Sequence, residues 1–441
     1  MLKIEQFPLT IHGINLPQRK DRKYNLRKEF ISKNEFILEI LCPISDKNAT
    51  KSLWLTIKEI VQNRSEDNFV IICEDDHLFT QDYSKDFLFE SLSSAKEKNA
   101  DILLGGTSWC NNAIPVNDHL FWVDRFSGLQ FAVIFKTLYS KILEANFENH
   151  DCADYKICDL SDKKFVIYPF ISVQKDYGYS DVTPKNNGEG KVTKLFYDSS
   201  ASLSSLLHVK KIYRENFPNS SSFSNNYDII SIPTYIIHLP ERTERLEHIK
   251  KEFTGRKEFD LTIVEACRHT IGAVGLWQSI RKVISLAVEN DDDVIILCED
   301  DHTFTQYYNR DSFIQNVLDA HYQGCDVLSA GIGGFSHAIP LADNRYWVSS
   351  FWCTQFIVMY RKFFQPLLQE SFDDTVTADD KISEMTSHKM VLHPFMSVQR
   401  DFGYSDVTQS NKIPGRITRH FDTANHQLQA CADAYKRYLS K

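Results

Sequence analysis

Apolar and polar positions follow the same course twice along this chain. The run Leu9-Thr10-Ile11-His12-Gly13-Ile14-Asn15-Leu16 is strand-like, stops at Pro17 and passes into a charged, helical stretch ending at Phe30. The same events begin again at Tyr235-Ile236-Ile237-His238-Leu239-Pro240, with a helix to Phe253. Each copy then has a short strand, Phe36 to Leu41 and Leu261 to Val264, and an amphipathic helix around Trp54 or Trp277. Next comes an unbroken apolar run, Phe69-Val70-Ile71-Ile72-Cys73 or Val294-Ile295-Ile296-Leu297-Cys298, halted by acids. Such a run suits a central strand buried on both faces. This alternation of strand and helix predicts an α/β fold with a mostly parallel central sheet flanked by helices. Ligands in such a sheet bind beyond the carboxyl ends of the strands, where the acids fall.

The repetition extends to residue identity. Cys73-Glu74-Asp75-Asp76-His77 recurs as Cys298-Glu299-Asp300-Asp301-His302, and Tyr179-Ser180-Asp181-Val182-Thr183 as Tyr404-Ser405-Asp406-Val407-Thr408, both 225 residues on. A common spacing held over a hundred residues indicates a duplicated domain. The 441 residues therefore divide into two Rossmann-like domains. Ser-rich patches between 199 and 228 place the boundary near 218 to 228, giving domains at 1–218 and 231–441 joined by a linker at 219–230.

Composition narrows the function. A hydrophobic fraction of 42% with 25% charged residues describes an ordinary globular protein and excludes a disordered or fibrous class. The net charge of −9, with no broad basic stripe, argues against a nucleic-acid partner. No apolar stretch is long enough to span a membrane, and Met1-Leu2-Lys3-Ile4-Glu5 lacks a signal-peptide core. The expectation is a cytoplasmic protein, with the inner face of the membrane left open as a location. The ten cysteines lie largely in apolar runs without CxxC spacing, which predicts reduced, buried thiols.

The candidate chemistry lies in the acids. Adjacent carboxylates at a strand end repel one another, and a hard divalent cation, which could also hold a diphosphate, relieves that repulsion. Acids after a strand also cap helices, but the buried strand and the repeat favour a site. His77 and His302 are either metal ligands or structural hydrogen-bond partners. Downstream, Pro169 to Asp181 and Pro394 to Asp406 place Gln174 or Gln399 and Ser180 or Ser405 around Gly178 or Gly403, offering hydrogen bonds to a polyhydroxylated ligand.

These residues together resemble family 25 glycosyltransferases. Leu16-Pro17-Gln18-Arg19-Lys20-Asp21-Arg22 and Leu239-Pro240-Glu241-Arg242-Thr243-Glu244-Arg245 resemble that family's opening strand-loop. The EDD clusters resemble its DxD motif, and the Ser-Asp after Val-Gln its closing segment. The resemblance spans most of both halves and implies two tandem GT-A-like domains, a nucleotide-diphosphate sugar donor of the UDP-sugar kind, and Mn²⁺ or Mg²⁺ on the diphosphate. It makes Asp301 the metal ligand, supported by Asp300 or Glu299, with Asp76, Asp75 and Glu74 in those places in the first half. It sets Arg242, Arg245, Arg19 and Arg22 beside the nucleotide or its phosphates, and Gln399, Ser405 and Asp406 at the donor. The usual Ser-His after the family's glycine segment is replaced by Gln278-Ser279, so acceptor class and donor choice stay open.

The halves differ at telling places. Ile271-Gly272-Ala273-Val274-Gly275-Leu276-Trp277 resembles the family's donor-side glycine segment, whereas Asn48-Ala49-Thr50-Lys51-Ser52-Leu53-Trp54 has neither glycine. Ala378-Asp379-Asp380-Lys381-Ile382 becomes Ala153-Asp154-Tyr155-Lys156-Ile157. An inverting transferase needs a base at the acceptor hydroxyl, for which Asp379 or Asp380 is the candidate; acids at a helix start are the alternative. His393, matched by Tyr168, is a candidate third metal ligand or an aromatic packing residue. Trp347, Trp352 and Gln355 form either a sugar platform or core, with Trp122, Gly128 and Gln130 as counterparts. The expectation is a metal-dependent sugar transferase acting on a hydroxyl of a glycan, lipid-linked or protein acceptor, with the second half catalytic and the first a second transferase or a degenerate partner. The rivals are a glycan-binding tandem module and a metal-dependent nucleotidyltransferase.

Overall fold

The computed structural model describes residues 8–178, 187–216, 227–404 and 413–439. Each copy of the repeat builds one eight-stranded mixed sheet with flanking helices, so the chain is a tandem pair of Rossmann-like α/β domains. In the first, the strand order is Phe36–Leu41, Leu9–Ile14, Phe69–Glu74, Phe131–Phe135, Ile102–Leu104, Lys164–Ile167, Leu120–Trp122, Ile114–Pro115. The second repeats it with Phe259–Glu265, Ile232–His238, Val294–Glu299, Phe356–Tyr360, Val327–Ser329, Lys389–Leu392, Arg345–Val348, Ala338–Ala342.

The three opening strands are parallel, as the hydrophobic pattern predicts. Phe131–Phe135 and Phe356–Tyr360 then enter antiparallel between two neighbours, and the far edge of each sheet is also antiparallel. A fully buried antiparallel strand carries the same continuous apolar run as a parallel one, so composition does not encode its direction. Val70 to Cys73 and Ile295 to Cys298 are buried at the centre of their sheets. The core therefore ends where Glu74 and Glu299 begin.

Packing divides the chain into two compact units, Met1–Val209 with Ala434–Lys441, and Lys210–Asp433. The division falls within the helix Lys191–Asn216. All ten cysteines are free thiols, six of them buried. Among the described residues, no helix is long and apolar enough to cross a membrane.

A two-stranded ladder in each unit joins the two repeated motifs. Beyond the acids the chain turns and forms His77–Phe79, antiparallel to Ser172–Gln174; the second unit pairs His302–Phe304 with Ser397–Gln399. Backbone amides of Lys175 and Arg400 donate to the carbonyls of Asp76 and Asp301 at 2.7 and 2.8 Å. Motifs a hundred residues apart thus meet at one strand end.

The two histidines after the acids are structural. His77 Nδ1 lies 2.8 Å from the Ser172 hydroxyl and His302 Nδ1 2.7 Å from that of Ser397. Their rings pack on Phe30, Phe79 and Phe131, or on Phe253, Phe304 and Phe356. Burial lowers the pKa of His77 to about 3 and that of His302 well below its usual value, so both are neutral.

Candidate active site

The second unit gathers its acids, arginines and helix termini around one cavity of about 610 Å³. Glu299, Asp300, Asp301, Arg242, Arg245, Gly272, Gly275, Asp379 and Gln399 all line it. The equivalent cavity of the first unit, about 560 Å³, is lined by Glu74, Asp75, Asp76, Arg19, Arg22 and Asp154. Ser405 and Asp406 lie outside the described residues.

Arg245 is the centre of the acid cluster. It comes from the helix Thr243–Glu252, three residues past Arg242, and its buried guanidinium donates through Nη1 to Asp300 Oδ1 at 3.0 Å and Asp301 Oδ2 at 2.9 Å. Its Nε donates to the Tyr404 hydroxyl at 3.1 Å, and its plane stacks on Phe402 and Tyr404. One cation therefore neutralises two carboxylates that would otherwise repel in a desolvated place. Arg22 does the same in the first unit, 3.1 Å from Asp75 Oδ1 and 3.6 Å from Asp76 Oδ2, and stacks on Tyr177. Arg19 supports it at 3.3 Å from Asp75 Oδ2. Arg245 and Arg22 thus hold the acids, and Arg242, beside the Tyr404 ring, lines the cavity with Arg245.

The middle acid has a second partner that the sequence pattern did not single out. Asn15 Nδ2 donates to Asp75 Oδ2 at 3.0 Å, and His238 Nδ1 lies 2.9 Å from Asp300 Oδ2. Both residues follow or end the opening strand, immediately before the Leu-Pro pair. An amide nitrogen only donates, so the shared position implies that His238 Nδ1 carries a proton toward the carboxylate.

The third acid is held on one side only. Gln399 Nε2 and Arg245 both donate to Asp301 Oδ2, the former at 3.0 Å. Oδ1 of Asp301, and likewise Oδ1 of Asp76, is buried without a hydrogen-bond partner among the described residues. Burial, and then neighbouring Asp75, raises the pKa of Asp76 to about 7; burial also raises that of Asp301, against the pull of Arg245. A divalent cation at that oxygen would relieve both penalties. Among the described residues, no group of three or more His, Cys, Asp or Glu is arranged around a metal position.

Glu299 sits deeper. The Thr354 hydroxyl donates to its Oε1 at 2.6 Å, and burial followed by the charge of Asp301 pushes its pKa up to about 8. In the first unit Thr354 is matched by Leu129, so Glu74 has no equivalent hydroxyl, and burial raises its pKa well above the usual range.

The opposite wall is the helix Ala378–Met385. Thr377 precedes it and caps it, its side chain accepting from the Asp380 amide. At its far end the buried Lys389 donates to Ser383 O and Thr386 O at 2.6 and 2.5 Å. Asp379 receives the Cys353 amide at 2.7 Å and the Thr377 hydroxyl, and lines the cavity. Asp380 turns toward the rim, accepting from Trp352 Nε1 at 3.1 Å and Thr377 at 2.8 Å. Cys353 has φ +85°, a left-handed conformation costly for a residue with a Cβ. Gly128 in the first unit has φ +115° and donates to Asp154 at 2.8 Å. Gly128 is therefore the counterpart of Cys353, and Trp352 is matched by Ser127, not by Gly128 as the sequence alignment expects.

The glycine segment opens the helix Gly272–Glu289, whose N-terminus at the cavity has no side-chain cap. In the first unit the Asn48 side chain caps that terminus, accepting from Thr50 and Lys51 amides. Gly275 packs on the adjacent loop: a Cβ there would lie 2.8 Å from Cys267 O. Ser52, its counterpart, instead donates to Ile44 O at 2.5 Å.

Three expected site residues stand elsewhere. His393 packs edge-on between Tyr346 and Phe395 and does not line the cavity with Asp301; the aromatic-packing alternative holds, in keeping with Tyr168 opposite. Trp347 is buried with its Nε1 donating to Ser387 O at 2.7 Å, and Gln355 is buried with its Nε2 donating to Gly331 O at 2.9 Å. Both are core, leaving Trp352 alone at the surface.

No protein-family model and no curated protein sequence matches the chain. Solved structures similar to it include A197 from STIV, at 12% identity over 40% of this chain and 87% of that one, with a TM-score of 0.29. UDP-glucose pyrophosphorylase complexed with UDP-glucose matches at 9% identity, 45% and 81% coverage and a TM-score of 0.27. The glycosyltransferase GlyE of Streptococcus pneumoniae TIGR4 matches at 8% identity, 72% and 99% coverage and a TM-score of 0.25. None of these superpositions assigns an activity to this chain.

Proposed function

We propose that the chain is a glycosyltransferase of the family 25 type whose second unit transfers a sugar from a nucleotide-diphosphate donor, a UDP-sugar, to an acceptor hydroxyl. The observation that carries this reading is the convergence of Glu299-Asp300-Asp301, Arg242, the uncapped terminus at Gly272 and the carboxylate of Asp379 on one cavity. The positive end of the helix Gly272–Glu289 and the Arg242 guanidinium favour the diphosphate. Mn²⁺ or Mg²⁺ held through Asp301 would neutralise diphosphate charge. Asp379 or Asp380 accepts the proton of the acceptor hydroxyl. The acceptor oxygen forms the new bond to the anomeric carbon while the bond to the diphosphate breaks, its electron pair leaving with UDP. Arg242 and the helix terminus stabilise that departing charge, and attack from the opposite side inverts the anomeric centre.

The first unit is read as a non-transferring partner. Asn48 already occupies its helix terminus, and Tyr155 stands where the second unit has Asp380. The test is UDP release from a panel of UDP-sugars, with and without Mn²⁺, by the intact chain. Metal-stimulated release from at least one donor is expected. Release of pyrophosphate from a nucleoside triphosphate and a sugar phosphate, with no UDP release from any donor, would replace this reading with nucleotidyl transfer.

A further inference from the structure

The chain has six tryptophans, and four of them, Trp54, Trp122, Trp277 and Trp347, are at most 5% exposed. Trp109 and Trp352 are 43% and 44% exposed. These two occupy opposite sides of one cross-strand pair. In the first unit an antiparallel ladder pairs Trp109 with Ser127; in the second a bridge pairs Gly334 with Trp352. At the repeat spacing of 225 residues, Gly334 is the counterpart of Trp109 and Trp352 that of Ser127. The indole has changed strands between the units, and in each case the residue opposite is small. A single exposed aromatic needs no explanation, but one retained at the same place by two different residues does.

The second unit holds this indole firmly. It lies on Gly334, where a Cβ would come within 2.0 Å of its Cε3, and its Nε1 donates to Asp380 at 3.1 Å. The Trp352 backbone exchanges hydrogen bonds with the glycine loop, from Gly333 N to its carbonyl at 2.9 Å and from its amide to Gly334 O at 3.1 Å. The next residue, Cys353, anchors Asp379 in the cavity wall. In the first unit Ser108, Ser127 and Gly128, beside the Trp109 pair, line the cavity. Both indoles therefore stand at a cavity rim. Asp380 accepts from the Trp352 indole, Ser336 and Ser350 pair with each other two residues along from the Gly334–Trp352 bridge, and Ser127 stands opposite Trp109 in its ladder. An exposed indole with polar groups on the neighbouring strand positions matches a pyranose, which has an apolar C–H face and hydroxyls at its edge.

We propose that this indole is a stacking platform for a pyranose in each unit. In the second unit the ring stacked on Trp352 belongs to the acceptor, placed beside Asp379 and Asp380; as an acceptor site it rests on the transferase reading above. In the first unit Trp109 holds a glycan where Tyr155 replaces Asp380.

The test titrates the full chain with methyl α- and β-pyranosides of glucose, galactose and mannose, with open-chain mannitol as the control that lacks a ring face. Tryptophan emission reports on the two exposed indoles, and saturation-transfer NMR reports binding in the variants. At least one pyranoside is expected to shift the emission saturably while mannitol does not. W109A and W352A each lose part of the binding, W109A/W352A binds at least tenfold more weakly, and W109F and W352F retain most of it. Unchanged binding by the double alanine variant, or no response to any pyranoside, overturns the platform. UDP binding is measured separately: UDP bound without a pyranoside response removes the platform and spares the transferase reading, whereas a pyranoside response without UDP binding does the reverse.

Discussion

At the scale of single residues, the site is organised by pairing charges out of water. Arg245 bridges two buried carboxylates, so its removal takes away the guanidinium they share and leaves them to His238 and Gln399. Arg245→Ala is expected to cost about 3–5 kcal/mol in urea unfolding, with much of the loss recovered when Asp300→Asn and Asp301→Asn are added. A full loss that persists in the triple variant would mean that stacking on Phe402 and Tyr404, and not charge, is what Arg245 supplies. The acids and arginines were legible because each stands in a short pattern beside a strand end. Asn15 and His238 were not, because nothing local marks an ordinary strand-end amide or imidazole as the partner of a carboxylate about 60 residues away. His393 misled for a related reason: a histidine before proline looks the same whether its neighbours are acids or the rings of Tyr346 and Phe395.

At the scale of elements, the acid-tipped strand and the opening strand and helix follow from the sequence, since an unbroken apolar run that ends in acids has few other uses. The antiparallel entry of Phe131–Phe135 and Phe356–Tyr360, and the short ladders that bring Gln174 and Gln399 to the acids, depend on pairing between distant segments and escape a local pattern. Two predictions belong here. Gly275→Ala would push a methyl against Cys267 O, and a loss of about 1–3 kcal/mol is expected; a neutral effect would mean that the loop yields without strain. Lys389, which ties down the helix bearing Asp379, has its pKa lowered by burial to about 8. The unfolded lysine keeps its proton to higher pH, so between pH 8 and about 10.5 the unfolded state binds more protons and stability rises with pH. Below pH 8 the penalty for charging the buried amine is fully present and constant. The stability of the parent chain relative to Lys389→Met should therefore grow above pH 8, by at most about 1.4 kcal/mol per pH unit. A flat difference from pH 7 to 10 would mean that the native amine stays charged over that range, as the unfolded lysine does.

At the scale of the whole molecule, duplication has produced two units with the same strand order and the same acid cluster but different cavity walls. The second has an uncapped helix terminus and paired Asp379 and Asp380; the first has Asn48 across that terminus and Tyr155 beside Asp154. Each unit keeps an exposed indole at the rim, though from opposite strands. The duplication itself was plain from the repeated motifs, whereas the asymmetry became interpretable only once Gly128 and Cys353 were seen to make the same hydrogen bond. The central claim, that sugar transfer belongs to the second unit, is tested most directly by UDP release from the best donor by the intact chain, compared with Asp76→Ala and Asp301→Ala. Asp301→Ala is expected to lower the rate at least a hundredfold, about 2.7 kcal/mol of activation free energy, while Asp76→Ala leaves it within about threefold of the parent. Equal losses from the two variants, or a loss from Asp76→Ala alone, would contradict it.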